Sequence, residues 1–359
     1  SLGGISNRLV ELANSLVGWM RGGLAMVNCV DSMLFGGISG SPVADCASLG
    51  PVLIPMMEKQ GYSKEFATGL TMSSSIEGMI IPPSHTMVIY AVTAGGVSIA
   101  GLYMGGILAG ILLGVCLMIY SYVMAVKHKY PTAGRFSIRR AGKALVDSIW
   151  GIIAMVIVVG GVFAGIMTAT EAAAAAAVYC AIIAFFVSKE AKLHHLPGIF
   201  RRTLQATATV LFLASTATAF SWIITYLRIP QAVASLLLGL TQSKFLLLLI
   251  INALLLVMGC FMNTSSVILI MVPILLPVVQ KFGMSAIQFG IMMVMNLGIG
   301  LLTPPVGSVL FIGSSISGLS LEKVSKAVFP QLLAMLAALM IVTYVPAVTT
   351  FLPTYFNFI

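Results

Sequence analysis

"GLLTPPVGS" at residues 300–308 places two adjacent prolines inside a long apolar run, and "GMIIPPSHT" at residues 78–86 poses the same arrangement much earlier in the chain. Proline lacks an amide hydrogen and clashes with the preceding turn. A pair of prolines with a glycine shortly ahead of it therefore unwinds a helix midway and leaves two half-helices. Two discontinuous helices are predicted, at about 64–94 and about 285–316.

Around these breaks the 359 residues are 59% hydrophobic and 8% charged, with a mean hydropathy of +1.07, far from the composition of a soluble domain. Runs such as "WGIIAMVIVVGGVFAGIMTA" from Trp150 match the roughly 20 residues a helix needs to cross the hydrocarbon core. Their continuity favours helices over a barrel, so the chain reads as an all-α polytopic membrane protein. The net charge of +9 gathers in "KHKYPTAGRFSIRRAGK" (Lys127 to Lys143) and "KEAKLHHLPGIFRR" (Lys189 to Arg202), which read as cytoplasmic loops. No aromatic-basic face accompanies the charge, and no nucleic-acid partner is expected. The five cysteines lie in apolar segments without a CxxC pair and read as buried small hydrophobes.

Sliding the chain against itself until Pro82 falls on Pro304 superposes more than the prolines. At that one offset Gly37 meets Gly259, Pro51 and Pro55 meet Pro273 and Pro277, Gly61 meets Gly283, and Gly96 meets Gly318. Two structural repeats follow: 1–126 and 149–359, separated by a basic loop at 127–148. Each repeat holds two apolar limbs broken by small polar residues, at about 22–57 and about 244–280. At about 15 residues per limb these are short for full crossings and read as re-entrant helical hairpins with tips inside the membrane. Spans are expected at 99–126, 149–169, 171–188, 207–227 and about 328–358. The crossings between the hairpins are odd in number, so the second repeat is inverted.

Inverted repeats with broken helices and hairpin tips are the architecture of secondary transporters: half-helix N-termini offer amides to anions, and unwound carbonyls and hydroxyls offer oxygens to cations. The tips carry Ser39, Gly40 and Ser41, and Asn263, Thr264, Ser265 and Ser266; the breaks lie in "SSSIEGMIIPPS" and "NLGIGLLTPP". Residues 245–280 and 282–321 contain no Asp, Glu, His, Lys or Arg. A proton needs a titratable carrier, whereas sodium needs only neutral oxygens, so sodium is the expected coupling ion. An anionic substrate, without deep arginines or lysines, would rest on helix N-termini and bound cations, with Ser41, Asn263, Ser265 and Ser266 as substrate contacts.

The stretch "RGGLAMVNCVDSMLFGGISGSPVADCASLGPVLIPMMEKQGY", with "IPPSHTMVIYAV", "GIMTATEAAAAAAVY" and "LLTPPVGSVLFI", resembles the large membrane subunit of tripartite ATP-independent periplasmic (TRAP) transporters across essentially the whole chain. The resemblance implies an elevator-type, sodium-coupled importer in the bacterial inner membrane. It also implies two partners, a small membrane subunit and a periplasmic substrate-binding protein, and small organic acids as cargo: dicarboxylates, sugar acids or sialic acids. Carried over by motif, the sodium sites fall on Ser39, Gly40, Ser41, Ser75, Gly78 and Pro82, and on Asn263, Thr264, Gly298, Gly300 and Thr303. The family carries apolar helices ahead of the first hairpin, equivalent to 149–228, and a longer N-terminus is therefore expected. Ala169 stands where proline is usual, and Glu77 and His85 add ionisable groups to the first break, leaving a proton role open on that side.

Buried charges cost roughly 2.5 to 3.5 kcal/mol on insertion scales, so each needs an account. Asp45 reads as a cap, an orienter of the tip or a neutraliser of a cation, Asp31 as a bond to a neighbouring helix, a side chain snorkelling into a cavity or an ion ligand, and Glu77 as a partner of unwound amides, His85 or an ion. Glu171 is expected to complement a helix N-terminus capped by Thr168 or Thr170. A stand-alone sodium- or proton-coupled anion transporter is the nearest alternative. A channel and an intramembrane enzyme are remote, the latter because no nucleophile–base pair or metal cluster recurs in both halves.

Overall fold

A computed structural model describes residues 5–130, 136–188 and 192–358, and among these every regular element is helical. Residues 131–135 of the first basic loop and 189–191 of the second lie outside the described residues. Helix α1 (Ile5–Val17) leads into α2 (Gly23–Ser39) and α3 (Pro42–Lys59), which are joined by Gly40 and Ser41 alone. The first interrupted helix comprises α4 (Lys64–Ser75), the single turn α5 (Glu77–Ile80) and α6 (His85–Ala94), followed by α7 (Ile99–Lys127), α8 (Ile138–Asp147) and α9 (Ile149–Phe163). Helix α10 (Ala169–Ile182) continues as a π-helical turn to Val187; α11 (Leu196–Tyr226) and α12 (Ile229–Leu240) come next. The second helix pair, α13 (Lys244–Phe261) and α14 (Thr264–Lys281), is joined by Met262 and Asn263. The second interrupted helix is α15 (Ala286–Gly300) with α16 (Ser308–Ser317), and α17 (Leu321–Tyr344) and α18 (Ala347–Tyr355) follow.

Three helix pairs begin at the same offset that superposes the prolines: α3 and α14, α4 and α15, α7 and α17. The same chemistry starts the last two pairs. Ser63 and Ser285, and Ser98 and Ser320, each accept a hydrogen bond from the amide three residues on. Packing respects the correspondence too: α6 lies against α14 as α16 lies against α3, and α4 meets α17 as α15 meets α7. Each half's post-break helix thus rests on the other half's hairpin limb, which interlocks the two.

Both proline pairs interrupt their helices, and both peptides, Pro82–Pro83 and Pro304–Pro305, are cis. In the first break Ser84 bridges the gap, donating to the Met79 carbonyl at 2.6 Å and accepting from the Met87 amide at 3.3 Å. In the second, the Val309 amide returns to the Leu301 carbonyl at 3.2 Å. These bonds satisfy main-chain groups that proline leaves without a helical partner.

Several boundaries differ from the sequence reading. The expected loop at 127–148 contains α8, nucleated by a Ser137 cap. The span expected at 207–227 begins at Leu196, because a proline in the first helical turn loses no hydrogen bond, and α12 follows as a separate helix. The span expected at 328–358 is two helices, parted at Val345 and Pro346, and the span at 149–169 ends as α9 at Phe163. The hairpin limbs run 17 to 18 residues rather than about 15, and α13 and α14 are each long and apolar enough to cross a membrane.

Six described helices meet that criterion of length and composition. The π-helical turn after α10 and helix α11 turn large apolar side chains outward, among them Phe186 and Phe212, as contact with hydrocarbon or another membrane chain requires. The tight core lies instead between the two hairpins and the two interrupted helices.

Candidate functional site

Each hairpin tip is pressed onto a helix break. In the first half Gly40 takes the left-handed conformation (φ 61°), and a Cβ there would lie 2.9 Å from the Pro83 carbonyl oxygen. The Gly40 carbonyl is 2.6 Å from Nδ1 of His85, so the first residue of α6 holds the tip. Further down the limb, Gly36 abuts Gly78: a Cβ on Gly36 would sit 2.5 Å from the Gly78 Cα. In the second half the equivalent contact joins Gly259 to Gly300, where a Cβ on Gly300 would lie 2.6 Å from the Gly259 carbonyl carbon. The Val306 amide donates to the Cys260 carbonyl at 3.3 Å, tying that tip to its break.

Among the first-half candidates, Ser39, Gly40 and Gly78 converge. Ser39 donates to Oδ1 of Asp45 at 2.7 Å, and Oδ2 of Asp45 lies against Gly78, 3.0 Å from where its Cβ would be. Asp45 therefore both occupies the first turn of α3 and fastens tip to break. Ser41 caps α3 without a side-chain bond, Ser75 turns its hydroxyl to the Met72 carbonyl at 2.7 Å, and Pro82 is buried in the break.

In the second half Asn263 spends its side-chain oxygen on the Ser265 amide at 2.9 Å, which caps α14. Thr264 and Ser265 are buried, and Ser266 is half-buried beside them. Thr303 donates to the Ile299 carbonyl at 3.0 Å. Gly298 faces away from its own tip: a Cβ there would meet the Ile76 side chain at 2.6 Å, so the two breaks pack back to back.

Polar bonds anchor each hairpin to its interrupted helix. Asn28 donates to Thr71 at 2.7 Å and accepts from Ser74 at 2.9 Å. Asn296, the counterpart of Ser74 in the repeat, donates to Oδ1 of Asn252 at 2.8 Å, and Asn252 reaches Thr343 at 3.2 Å.

The halves differ in charge. Asp31, Asp45 and Glu77 are fully buried, and among the described residues both oxygens of Asp31 and of Glu77, and Oδ2 of Asp45, have no hydrogen-bond partner. An isolated carboxylate in a dry interior is costly unless neutralised by a proton or a cation. In the second half no buried carboxylate occurs among the described residues; Glu322 and Lys326, which line a pocket with Pro304 and Pro305, are exposed and paired with each other at 2.6 Å. No group of three His, Cys, Asp or Glu side chains is clustered for a metal among the described residues.

A cavity of about 640 Å³ opens beside the first tip, between Ser39, Gly40 and the start of α6 on one wall and α9 and α10 on the other. The alanines of "ATEAAAAAA", including Ala173 and Ala177, form that second wall, and their small side chains leave the space open. Among the described residues, His85 is the one imidazole, carboxylate or basic side chain in its lining. Ser41, Asn263, Ser265 and Ser266, the expected substrate contacts, do not line it. Glu171 and Thr168 form a reciprocal capping box at the start of α10, clear of the cavity lining. Sequence reasoning did not single out Gly36, and it read the alanine run of α10 as a close-packing scaffold or sliding surface without the cavity beside it. The doubled glycine in "FGGISG" is a signal for the first, the alanine run for the second.

The family model for the tripartite ATP-independent periplasmic transporter DctM component matches residues 1–348. The chain is 39% identical to a C4-dicarboxylate TRAP transporter large permease protein of Pseudomonas aeruginosa, over 98% of this chain and 82% of that protein. It is 36% identical to a sialic acid TRAP transporter large permease protein of Vibrio cholerae, over 98% of this chain and 82% of that one. It is 42% identical to an isethionate TRAP transporter permease protein of Oleidesulfovibrio alaskensis, over 97% of this chain and 55% of that longer protein.

Proposed function

The chain belongs to the DctM component family of tripartite ATP-independent periplasmic transporters, a multi-pass protein of the bacterial inner membrane, and from that membership we propose that it drives sodium-coupled import of a small organic acid. A periplasmic binding protein delivers the acid, and a small membrane subunit completes the transporter. The relatives' printed substrates, C4-dicarboxylates, sialic acid and isethionate, are all anionic, which supports an anion as cargo.

The observation that carries this reading is the docking of both tips onto both breaks, at Gly40 with Pro83 and His85 and at Gly259 with Gly300. A tip that touches the middle of an interrupted membrane helix ends at mid-depth, which supports re-entrant hairpins. The matching contacts of the two halves support an inverted repeat. Sodium sits at each junction. In the first, Ser39, Gly40, Ser41, Ser75, Gly78 and Pro82 supply oxygens; in the second, Asn263, Thr264, Gly298, Gly300 and Thr303 do so. Neutral oxygens suffice for sodium, and residues 245–280 and 282–321, which hold the second tip and break, carry no Asp, Glu, His, Lys or Arg. The cavity beside the first tip receives the cargo between the moving hairpin elements and α9–α10. Sliding of the former along the alanine wall of the latter constitutes an elevator step.

The test is uptake of labelled organic acids into proteoliposomes holding this chain and its small subunit, with the cognate binding protein outside. Uptake should require both an inward sodium gradient and the binding protein. Uptake driven equally by a proton gradient refutes sodium coupling, and uptake unchanged without the binding protein makes this a stand-alone transporter.

A further inference from the structure

Helix α8 departs from α9 at 66°, so the two do not form one straight span. One side of α8 is fastened to α1: Ala144 is buried, Arg140 binds Glu11 at 2.7 Å, and Ser148 just beyond donates to the Arg8 carbonyl at 2.9 Å. At about 100° per residue the remaining circumference divides into two arcs. Ile138, Leu145 and Val146 share one, and Arg139 and Lys143 sit side by side on the next. The apolar arc is bare, with Ile138 82% and Val146 67% exposed. Two residues ahead of α8, Phe136 meets Trp19 edge to face at 6.4 Å, and both are exposed. Arg139 and Lys143 make no ion pair or side-chain hydrogen bond among the described residues, whereas Arg140 is already neutralised.

An apolar arc, an adjoining pair of free cations and an aromatic pair formed by Phe136 just ahead of the helix match the boundary between acyl chains and headgroups. The excess of positive charge selects negative headgroups. We propose that α8, with Trp19 and Phe136, is a membrane-surface helix that binds anionic phospholipid through Arg139 and Lys143. It anchors the connection between α7 and α9 to the bilayer, independently of the cargo and the coupling ion.

The test uses the full chain carrying Trp150→Phe and Trp222→Phe, which leaves Trp19 as the sole tryptophan. It is reconstituted into vesicles containing brominated phosphatidylglycerol or brominated phosphatidylcholine, and quenching of Trp19 is titrated against lipid fraction. Each cation near an anionic surface is worth about fivefold in association, so the two together favour phosphatidylglycerol by on the order of 25-fold at low salt. Arg139→Gln with Lys143→Gln should abolish the preference while quenching by phosphatidylcholine persists. Arg139→Lys should retain it, and Arg201→Gln with Arg202→Gln on the other basic segment should leave it unchanged. High salt should weaken it, since the screening length falls to about 3 Å at 1 M. Equal quenching by both lipids, or a preference that survives the double substitution, overturns the proposal. Absence of quenching by either lipid, as when a protein covers this face, also overturns it.

Discussion

Replacing Gly300 by alanine tests whether the second tip and break form one cation site. The added Cβ would lie 2.6 Å from the carbonyl carbon of Gly259 and 2.7 Å from its Cα. Carbon pairs prefer about 3.5 to 4.0 Å, so α13 must retreat from α15 by about 1 Å. Both partners are backbone, and no side-chain rotation relieves the clash. Overpacking of this kind costs about 1 to 3 kcal/mol. If that strain falls on the docked tip, the half-saturating sodium concentration for uptake rises by about 5- to 150-fold. The assay is uptake against sodium in proteoliposomes, paired with the sodium-dependent rise in thermal unfolding midpoint. Gly259→Ala gives a graded comparison, since its Cβ would stand 3.2 Å from the Gly300 Cα and should produce a milder shift. Gly198→Ala in α11 has open space and should change nothing. A folded Gly300→Ala protein whose sodium dependence stays within about twofold of the parent would refute the assignment.

Ser39→Ala removes the one hydrogen bond to the buried Asp45 carboxylate and should lower stability by about 1 to 3 kcal/mol in a denaturation assay, while Ser39→Thr should retain most of it. His85→Ala cuts the link to the Gly40 carbonyl; a loss of about 0.5 to 1.5 kcal/mol of tip closure should speed maleimide labelling of a Ser41→Cys protein by roughly 2- to 12-fold. An unchanged labelling rate would remove His85 from that role. Ala177→Phe should block the cavity and abolish uptake with a normal unfolding midpoint, and persistent uptake would show that cargo takes another route. Asn296→Leu breaks the bonds to Asn252 and should lower the unfolding midpoint measurably, whereas Gly142→Ala, within α8 and with open space around it, should leave it unchanged or slightly raised.

The sequence by itself determined the helical membrane class, the repeat that carries Pro82 onto Pro304 and the positions of both breaks. Each depends on local chemistry: continuous apolar runs, proline's missing amide, and serine caps recurring at one offset. It misjudged α8, because counting charge marks a loop whereas the spacing of Ile138, Leu145 and Val146 around the helix marks an amphipathic one. Tertiary structure alone decided that Gly36 rather than Gly37 meets Gly78, that Gly298 faces the opposite break, and that His85 holds the tip. It also placed the alanine wall of α10 across a cavity from residues far earlier in the chain, Ser39 and Gly40 among them. Those pairings depend on which faces of distant helices close upon one another, and that is set by the packing of the whole bundle rather than by any short run of residues.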